Sequence, residues 1–226
     1  MLRLSLDAKA RVNIGLFDRG GKNRITVETN DHDFNPKTTL TPYGIFIPEF
    51  DELFLYFTTS TVTSDFIVDI LEDFWESEKS RFEKIKTLII NQDNGSENNS
   101  RRTQFMKRIV EFSQKYQVNI RLAYYPPYHS KYNPIERTWA VLENHWNGSI
   151  LDEIETALKF AQTMTWKGKH PIVKLITETY EKGVKLTKKA MEKSKKKSNV
   201  SQNQRIKTFP IWGNGLLIFI MIRPSL

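Results

Sequence analysis

Hydrophobic residues follow two different periods in the first 146 residues of this chain, and the order of those periods restricts the fold. Leu2, Leu4 and Leu6 alternate with polar residues, which predicts a half-buried strand. From Ser64 onward the apolar residues recur at helical spacing, and Ser64 is predicted to cap that helix. Short strand-like runs at 87–93 and 118–126 are each followed by a further helical segment. Strands that alternate with helices need crossover connections, so we predict an α/β fold with a mixed sheet covered by helices on both faces.

The segment before the first helix has the pattern of strands and turns. Residues 2–17 show two alternating runs and are predicted to form a hairpin. Residues 18–42 are polar and rich in turn residues, which predicts a long loop with one short strand at 24–28. The β-rich segments 43–50 and 52–60 predict two more strands, the second of them in the centre of the sheet.

The C-terminal part changes character near residue 150. The segments "LDEIETALKFAQTM", "PIVKLITETYEKG" and "LTKKAMEK" are all predicted to be helical. We therefore predict a domain at 1–148, a helical extension at 149–197 and an irregular or disordered tail at 198–226. The lysine cluster at 182–197 is either a solvated helix end or a tail that contacts phosphates, and the sequence leaves both open.

Charge and cysteine content restrict the partners and the chemistry. The net charge is +8 and the isoelectric point about 9.5, which favours a polyanionic partner such as nucleic acid, although a merely basic soluble protein would look the same. The chain has no cysteine, which excludes disulfides, thiolate catalysis and zinc–cysteine sites. The longest apolar run, 215–222, is far shorter than a membrane helix of about 20 residues. We predict a cytoplasmic protein that does not enter a membrane.

Three acidic residues stand at the ends of predicted elements. Asp7 lies on the first strand and faces away from its leucines, and Asp93 ends the buried run "TLIINQD". Glu136 lies in the first turn of a helix that Pro134 begins and Asn133 is predicted to cap. Each acid also has a plainer interpretation: a surface residue on an edge strand, a turn residue and a partner of the helix dipole, respectively.

The helix that carries Glu136 has a clear buried stripe. Ile135, Trp139, Leu142 and Trp146 recur at helical spacing, so both tryptophans are predicted to be core residues rather than base-stacking ones. Glu136 lies at the border of this stripe, from which its carboxylate could point across the ends of the strands.

The order of the elements matches the ribonuclease-H-like layout, in which the first strand is central and lies beside the strand that carries the second acid. In that layout Asp7, Asp93 and Glu136 would converge. Carboxylate oxygens are the ligands that Mg²⁺ prefers, and two such ions about 4 Å apart can activate a water or a 3′-hydroxyl and stabilise the leaving oxygen. We therefore predict a catalytic site with two Mg²⁺ or Mn²⁺ ions.

Three segments resemble the catalytic core of bacterial DDE transposases of the ISAzo-type insertion-sequence family: "SLDAKARVNIG", "NQDNGSENNSRRTQFMKRI" and "YYPPYHSKYNPIERTWAVLENHWNG". The resemblance covers roughly residues 1–195. It implies that Asp7, Asp93 and Glu136 are the metal-binding triad of an enzyme that cleaves DNA strands and transfers them during insertion-sequence movement. The implied partners are DNA, as transposon ends and target, and further copies of the chain in a homodimer or larger assembly. The implied location is the bacterial cytoplasm, at the nucleoid when DNA is bound.

The same resemblance suggests residues that contact DNA. His129, Ser130 and Lys131 match the family's run before the glutamate, and Lys9 and Arg137 lie beside the predicted triad in sequence. Lys131 could contact a phosphate as a point charge. His129 is either a DNA contact or a turn residue, and the sequence leaves both open.

Two departures from the family lead to an alternative. Family members have a DNA-recognition region before the first aspartate, which is residue 7 here, and the ending "FPIWGNGLLIFIMIRPSL" is unusually apolar. The expectation is an N-terminally truncated copy that retains the catalytic core. The alternative is an inactive remnant that binds DNA non-specifically, and a structure-specific nuclease on the same fold is the third possibility.

Overall fold

The chain forms two compact units in the computed structural model, which describes residues 1–20, 36, 38–125, 133–184, 207–211 and 215–222. Unit 1 comprises Met1–Leu6, Thr61–Asn133 and Tyr180–Leu226. Unit 2 comprises Asp7–Ser60 and Pro134–Thr179. The boundary falls inside the first strand, so the strand begins in unit 1 and its last two residues belong to unit 2.

Unit 1 is built on a mixed sheet with two helices. Its elements, in chain order, are β1 (Leu2–Ala8), α1 (Ser64–Glu78), β5 (Thr87–Gln92), α2 (Thr103–Tyr116), β6 (Asn119–Tyr124), β8 (Lys207–Ile211) and β9 (Gly215–Ile222). The strand order is β1-β5-β6-β9-β8. The pairs β1–β5 and β5–β6 are parallel, and β9 is antiparallel to both β6 and β8. The helices α1 and α2 pack on each other, and α2 contacts β6.

The helix α1 shows how local sequence determines an element of unit 1. Phe66, Ile70 and Phe74, at helical spacing, are fully buried, as predicted. The cap is Thr63 rather than the predicted Ser64, because the Thr63 hydroxyl accepts a hydrogen bond from the Phe66 amide at 3.2 Å. Ser64 instead donates to the carbonyl of Glu97, in the loop that follows β5, at 2.6 Å.

Unit 2 contains the remaining elements: β2 (Val12–Ile14), β3 (Thr38–Ile47), β4 (Glu52–Thr58), α3 (Glu136–Trp146), α4 (Ile154–Thr163) and β7 (Ile172–Ile176). The strand order is β7-β4-β3, with β2 paired to β3. The pairs β2–β3 and β3–β4 are antiparallel, and β4–β7 is parallel. Because β4 has a neighbour on each side, its predicted central position is confirmed.

The core of unit 2 forms where the apolar stripe of α3 meets the strands. Ile135, Trp139, Leu142 and Trp146 are all buried, so the predicted stripe is confirmed. Their neighbours are apolar residues from β2, β3, β4 and α4, together with Met164, which follows α4: Val12, Ile14, Leu40, Phe46, Leu53, Leu55, Phe57, Ala157, Ala161 and Met164.

Three predictions of secondary structure are wrong. The hairpin at 2–17 does not form, because β2 pairs with β3, which follows it, instead of with β1. Ile172–Ile176, predicted as helix within the 149–197 extension, is β7, since its backbone pairs in parallel with β4. The predicted irregular tail at 198–226 contains β8 and β9, which form an antiparallel pair.

Other predictions concern residues outside the described part of the chain. These are the short strand at 24–28, the helix at "LTKKAMEK" and most of the lysine cluster at 182–197. The domain boundaries at 148 and 197 stay predictions. Among the described helices, none has the length and apolar character needed to cross a bilayer.

Candidate active site

Asp7 lies near the end of β1 and is held by a tryptophan from α3. Its side chain is partly exposed, and its Oδ2 accepts a hydrogen bond from Trp139 Nε1 at 2.7 Å. The indole of Trp139 is 7% exposed, so the donor is rigidly packed. Trp139 is therefore a core residue, as predicted, and in addition it orients a carboxylate of the predicted triad.

Glu136 is the first residue of α3 and is partly exposed. Trp139 lies three residues later, in the first turn of the same helix. Its hydrogen bond therefore ties Asp7 to the turn that begins with Glu136. Within unit 2, Trp139 therefore contacts one predicted acid and lies on the same helical turn as another.

Asn133 does not cap α3, contrary to the prediction. Ile135 stands in the cap position with helical backbone angles and makes no side-chain cap. The amide of Asn133 is 2% exposed; its Nδ2 donates to the carbonyl of Leu6 at 2.9 Å, and its Oδ1 accepts from the Ser5 hydroxyl. Asn133 therefore fixes the first strand at the residue just before Asp7.

A glycine on β3 lets α3 approach the sheet closely. A Cβ at Gly44 would lie 2.5 Å from Ile135 Cδ1 and 2.8 Å from Trp139 Cη2. No side chain fits there without movement of the helix or of the indole. Gly44 therefore helps to set the position of the Trp139 donor.

Asp93 follows β5 directly, as predicted, and its side chain is exposed. Its Oδ1 accepts a hydrogen bond from Asn98 Nδ2 at 2.9 Å. In unit 1 the parallel register pairs Ser5 with Asn91. Ser5 stands two positions before Asp7, and Asn91 stands two positions before Asp93.

Glu143 on α3 is surrounded by positive charge. It pairs with Lys9, which follows β1, and with Arg19. The guanidinium of Arg19 also lies over the ring of Trp146, 5.2 Å from its centroid. Burial alone would raise the pKa of Glu143, but hydrogen bonds and charge from Lys9 and Arg19 outweigh burial and hold the pKa below its ordinary value of 4.5.

The predicted DNA-contacting residues have different surroundings. Lys9 forms the ion pair with Glu143 described above and is only partly exposed. Arg137 is exposed in the first turn of α3. His129, Ser130 and Lys131 lie outside the described residues. Contact of any of these side chains with DNA stays a prediction.

Within the described ranges, no group of three or more histidine, aspartate and glutamate side chains is arranged to hold a metal ion. Asp7 and Glu136 belong to unit 2, and Asp93 belongs to unit 1. The three-carboxylate metal site therefore stays a prediction.

Sequence reasoning missed three interactions around the predicted acids. The donor role of Trp139 and the contact of Asn98 with Asp93 were not predicted, nor was the pairing of Arg19 with Glu143. Asn98 had a usable signal, since a buried strand ending in Asp, Asn and Gly is followed closely by further asparagines that can bond to the turn. Trp139 and Glu143 had none, because their partners are far away in sequence.

Comparison with known proteins agrees with this architecture. A family model described as the Rhodopirellula transposase DDE domain matches residues 2–209. No curated protein matches the chain. Among solved structures, a chain of the "Mos1 transposase paired-end complex with left transposon end" is similar, with a TM-score of 0.52 and 10% identity. The match covers 70% of this chain and 46% of that one, so this chain spans less than half of the solved chain. At this identity the likeness concerns the fold, and it confirms the predicted ribonuclease-H-like α/β class.

Proposed function

This chain belongs to the family of DDE transposase domains, and from that premise we propose that it cleaves and joins DNA strands with divalent cations bound at Asp7, Asp93 and Glu136. The observation that carries the proposal is the hydrogen bond from Trp139 Nε1 to Asp7 Oδ2. It joins Asp7 to the helical turn that begins with Glu136.

The donor set fits a hard divalent cation. All three side chains offer carboxylate oxygens, and none is fully buried. Mg²⁺ prefers such ligands and keeps part of its water shell, so a site of few protein ligands suffices. When bound, two such ions supply activation of a water or 3′-hydroxyl and stabilisation of the leaving oxygen.

The chain's own contribution is to orient these carboxylates. Trp139 holds one oxygen of Asp7, and Asn133 holds the carbonyl of the preceding residue. The amide of Asn98 holds one oxygen of Asp93. Hydrogen bonds of this kind fix the direction of a metal ligand and reduce the reorganisation needed when the cation binds.

DNA is the proposed substrate. The net charge of +8 favours a phosphate backbone, and the similar solved structure is by its title a complex with a transposon end. We propose that the DNA is a transposon end and its target, bound by two or more copies of this chain. Base specificity of this chain alone is expected to be weak.

The proposal can be tested with Mn²⁺, a supercoiled plasmid and a pre-nicked oligonucleotide duplex with a free 3′-hydroxyl. The native chain should nick the plasmid and join the oligonucleotide to it. The substitutions Asp7→Asn, Asp93→Asn and Glu136→Gln should each abolish both reactions. They should change DNA affinity little, because lysine and arginine contacts dominate it.

Glu155→Gln is the matched control, because Glu155 is also a first-turn glutamate, on α4. It removes the same helix-dipole interaction without touching the proposed site, and it should retain full activity. Cleavage without joining would indicate a nuclease, and binding without chemistry would indicate an inactive remnant. Retained cleavage in any of the three variants would remove that residue from the site.

A further inference from the structure

The loop between β5 and α2, residues 93–102, is fixed from several directions. The Ser64 hydroxyl of α1 donates to the carbonyl of Glu97 at 2.6 Å. The carbonyl of Asn98 accepts from the Tyr124 hydroxyl at 2.8 Å and from Gln92 Nε2 at 3.3 Å. The backbone of Asn98 is thus held by both neighbouring strands, and the direction of its side chain is determined.

The side chain of Asn98 is almost completely buried, at 6% exposure, and uses only one of its two polar ends. Its Nδ2 donates to Asp93 Oδ1 at 2.9 Å. Its Oδ1 is buried and has no hydrogen-bond partner among the described residues. A buried amide oxygen without a donor is unfavourable, so a residue needed only to shape the loop would not be expected to leave it so.

Gly95 shows where this oxygen points. A Cβ on Gly95 would lie 3.1 Å from Asn98 Oδ1, and 3.2 and 3.3 Å from Asp93 Oδ2 and Oδ1. Three oxygens from two side chains therefore face one position. The backbone angle φ of Gly95 is outside the left-handed range, so glycine is needed here for space and not for conformation.

We infer that Asn98 is a positioning residue for Asp93. Its Oδ1, together with the two oxygens of Asp93, lines a recess for a hydrated divalent cation. Gly95, which has no side chain, provides the space for this recess. This inference rests on the proposed function, since it assumes that Asp93 binds the metal. It adds a residue that is not among the three predicted acids. An oxygen that lacks a donor in the protein is suited to accept one from cation-bound water.

The test is Mn²⁺ affinity, measured without DNA from the electron paramagnetic resonance signal of free Mn²⁺. Asn98→Leu has a similar size and removes both polar ends, and it should raise the Mn²⁺ dissociation constant about tenfold or more. Asn98→Asp keeps an oxygen and should bind Mn²⁺ more tightly than Asn98→Leu does. Gly95→Ala leaves Asn98 intact but fills the recess, and it should weaken binding to a similar extent.

Ser96→Ala, an exposed change in the same loop, is the control and should bind Mn²⁺ as the native chain does. Circular dichroism and thermal unfolding show whether each variant folds. If Asn98→Leu fails to fold, Gly95→Ala decides. Folded Asn98 and Gly95 variants with unchanged Mn²⁺ affinity would overturn the inference and leave Asn98 with a structural role only.

Asp93→Asn separates this inference from the proposed function. If it weakens Mn²⁺ binding while Asn98→Leu and Gly95→Ala do not, the proposed function stands and the role of Asn98 is overturned. If Asp93→Asn leaves Mn²⁺ binding unchanged, Asp93 is not a metal ligand and both proposals fail at this residue.

Discussion

Individual hydrogen bonds to carboxylates explain why particular side chains stand around the predicted triad. The indole of Trp139 is a donor that cannot also accept, so it directs one oxygen of Asp7 towards α3. The amide of Asn98 plays the same part at Asp93. A neutral donor orients a carboxylate and leaves its negative charge available to a cation. A lysine or arginine would instead neutralise that charge.

Trp139→Phe tests this role, because it keeps an aromatic ring and removes the N–H. We expect metal-dependent cleavage to fall by about 10- to 100-fold. The free energy of unfolding should fall by about 1.5–3 kcal/mol, as for other hydrogen bonds to charged groups. Steady-state cleavage assays and urea unfolding measure the two effects.

Trp146→Phe is the matched control on the same helix. Trp146 is fully buried, and its Nε1 has no hydrogen-bond partner among the described residues. The change should lower stability through lost packing but leave the activity of the folded protein nearly intact. Equal losses of activity in the two variants would mean that the indole N–H of Trp139 has no special role.

The positions of the three acids in their elements could be predicted from the sequence, but most of the residues that hold them could not. The apolar run before Asp93 predicts a buried strand, and the residues around Glu136 predict the start of a helix. Both predictions succeed because hydrophobic period and turn chemistry are local signals. Asn133 looked like a helix cap by the same local rule. Its actual partner Ser5 is 128 positions away, and no local rule identifies such a contact.

At the scale of elements, α3 carries more residues of the proposed site than any other element of unit 2. Its first turn carries Glu136 and Trp139, its buried stripe packs beside Gly44 of β3, and its last turns carry Glu143 between Lys9 and Arg19. The buried stripe and the ion pairs of Glu143 thus hold α3 against the rest of unit 2.

Glu143→Gln measures the electrostatic part of this arrangement. The pKa of Glu143 is lowered in the folded protein, so its contribution to stability is present at neutral pH and is lost as the pH falls through the folded pKa. We expect a loss of about 1 kcal/mol or less near neutral pH, since the group is partly exposed and screened by solvent. The difference between native chain and variant should shrink below the ordinary pKa of 4.5.

Glu155→Gln serves as reference, because its pair with Lys159 on α4 is mostly exposed to solvent and salt. Urea unfolding at a series of pH values gives both free energies. A Glu143 effect that persisted unchanged into acid would show that lost packing, and not charge, is the cause.

The wrong predictions for β7 and for the hairpin both concern short strands whose pairing partners are not visible in the local sequence. The five-residue run of β7 is too short for its hydrophobic period to distinguish a strand from a helix. Its pairing with β4 makes it a strand. The predicted hairpin at 2–17 does not form because the three-residue β2 pairs with β3 instead of with β1. Longer elements such as α1 and α2 had enough periodic residues to be predicted correctly.

At the scale of the whole molecule, the order of long elements and the charge were the features that sequence could reveal. Strands followed by alternating helices and strands predicted the α/β class, which the structural likeness confirms. The division into two units could not be predicted, since it depends on contacts that join Asp7–Ser60 to Pro134–Thr179 across a long intervening segment.

The net charge of +8 leads to a prediction for the intact chain. Binding to a duplex of random sequence should weaken steeply with salt, with a log–log slope of about −0.9 for each phosphate contacted. Fluorescence anisotropy of a labelled duplex over a series of salt concentrations measures this slope. Asp93→Asn should leave the slope unchanged, and salt-independent binding would rule out the proposed backbone contacts.

The antiparallel pairing of β9 with β6 affects how the protein reaches its final state. β6 has two neighbouring strands: β5, which precedes Asp93, and β9. During synthesis, β9 is added only after α3, α4 and β7. Until that segment arrives, one edge of β6 exposes unpaired amides and carbonyls and can pair with another chain. Aggregation during synthesis should therefore depend on how quickly the final strands are added, and a chaperone that covers sheet edges should raise the yield.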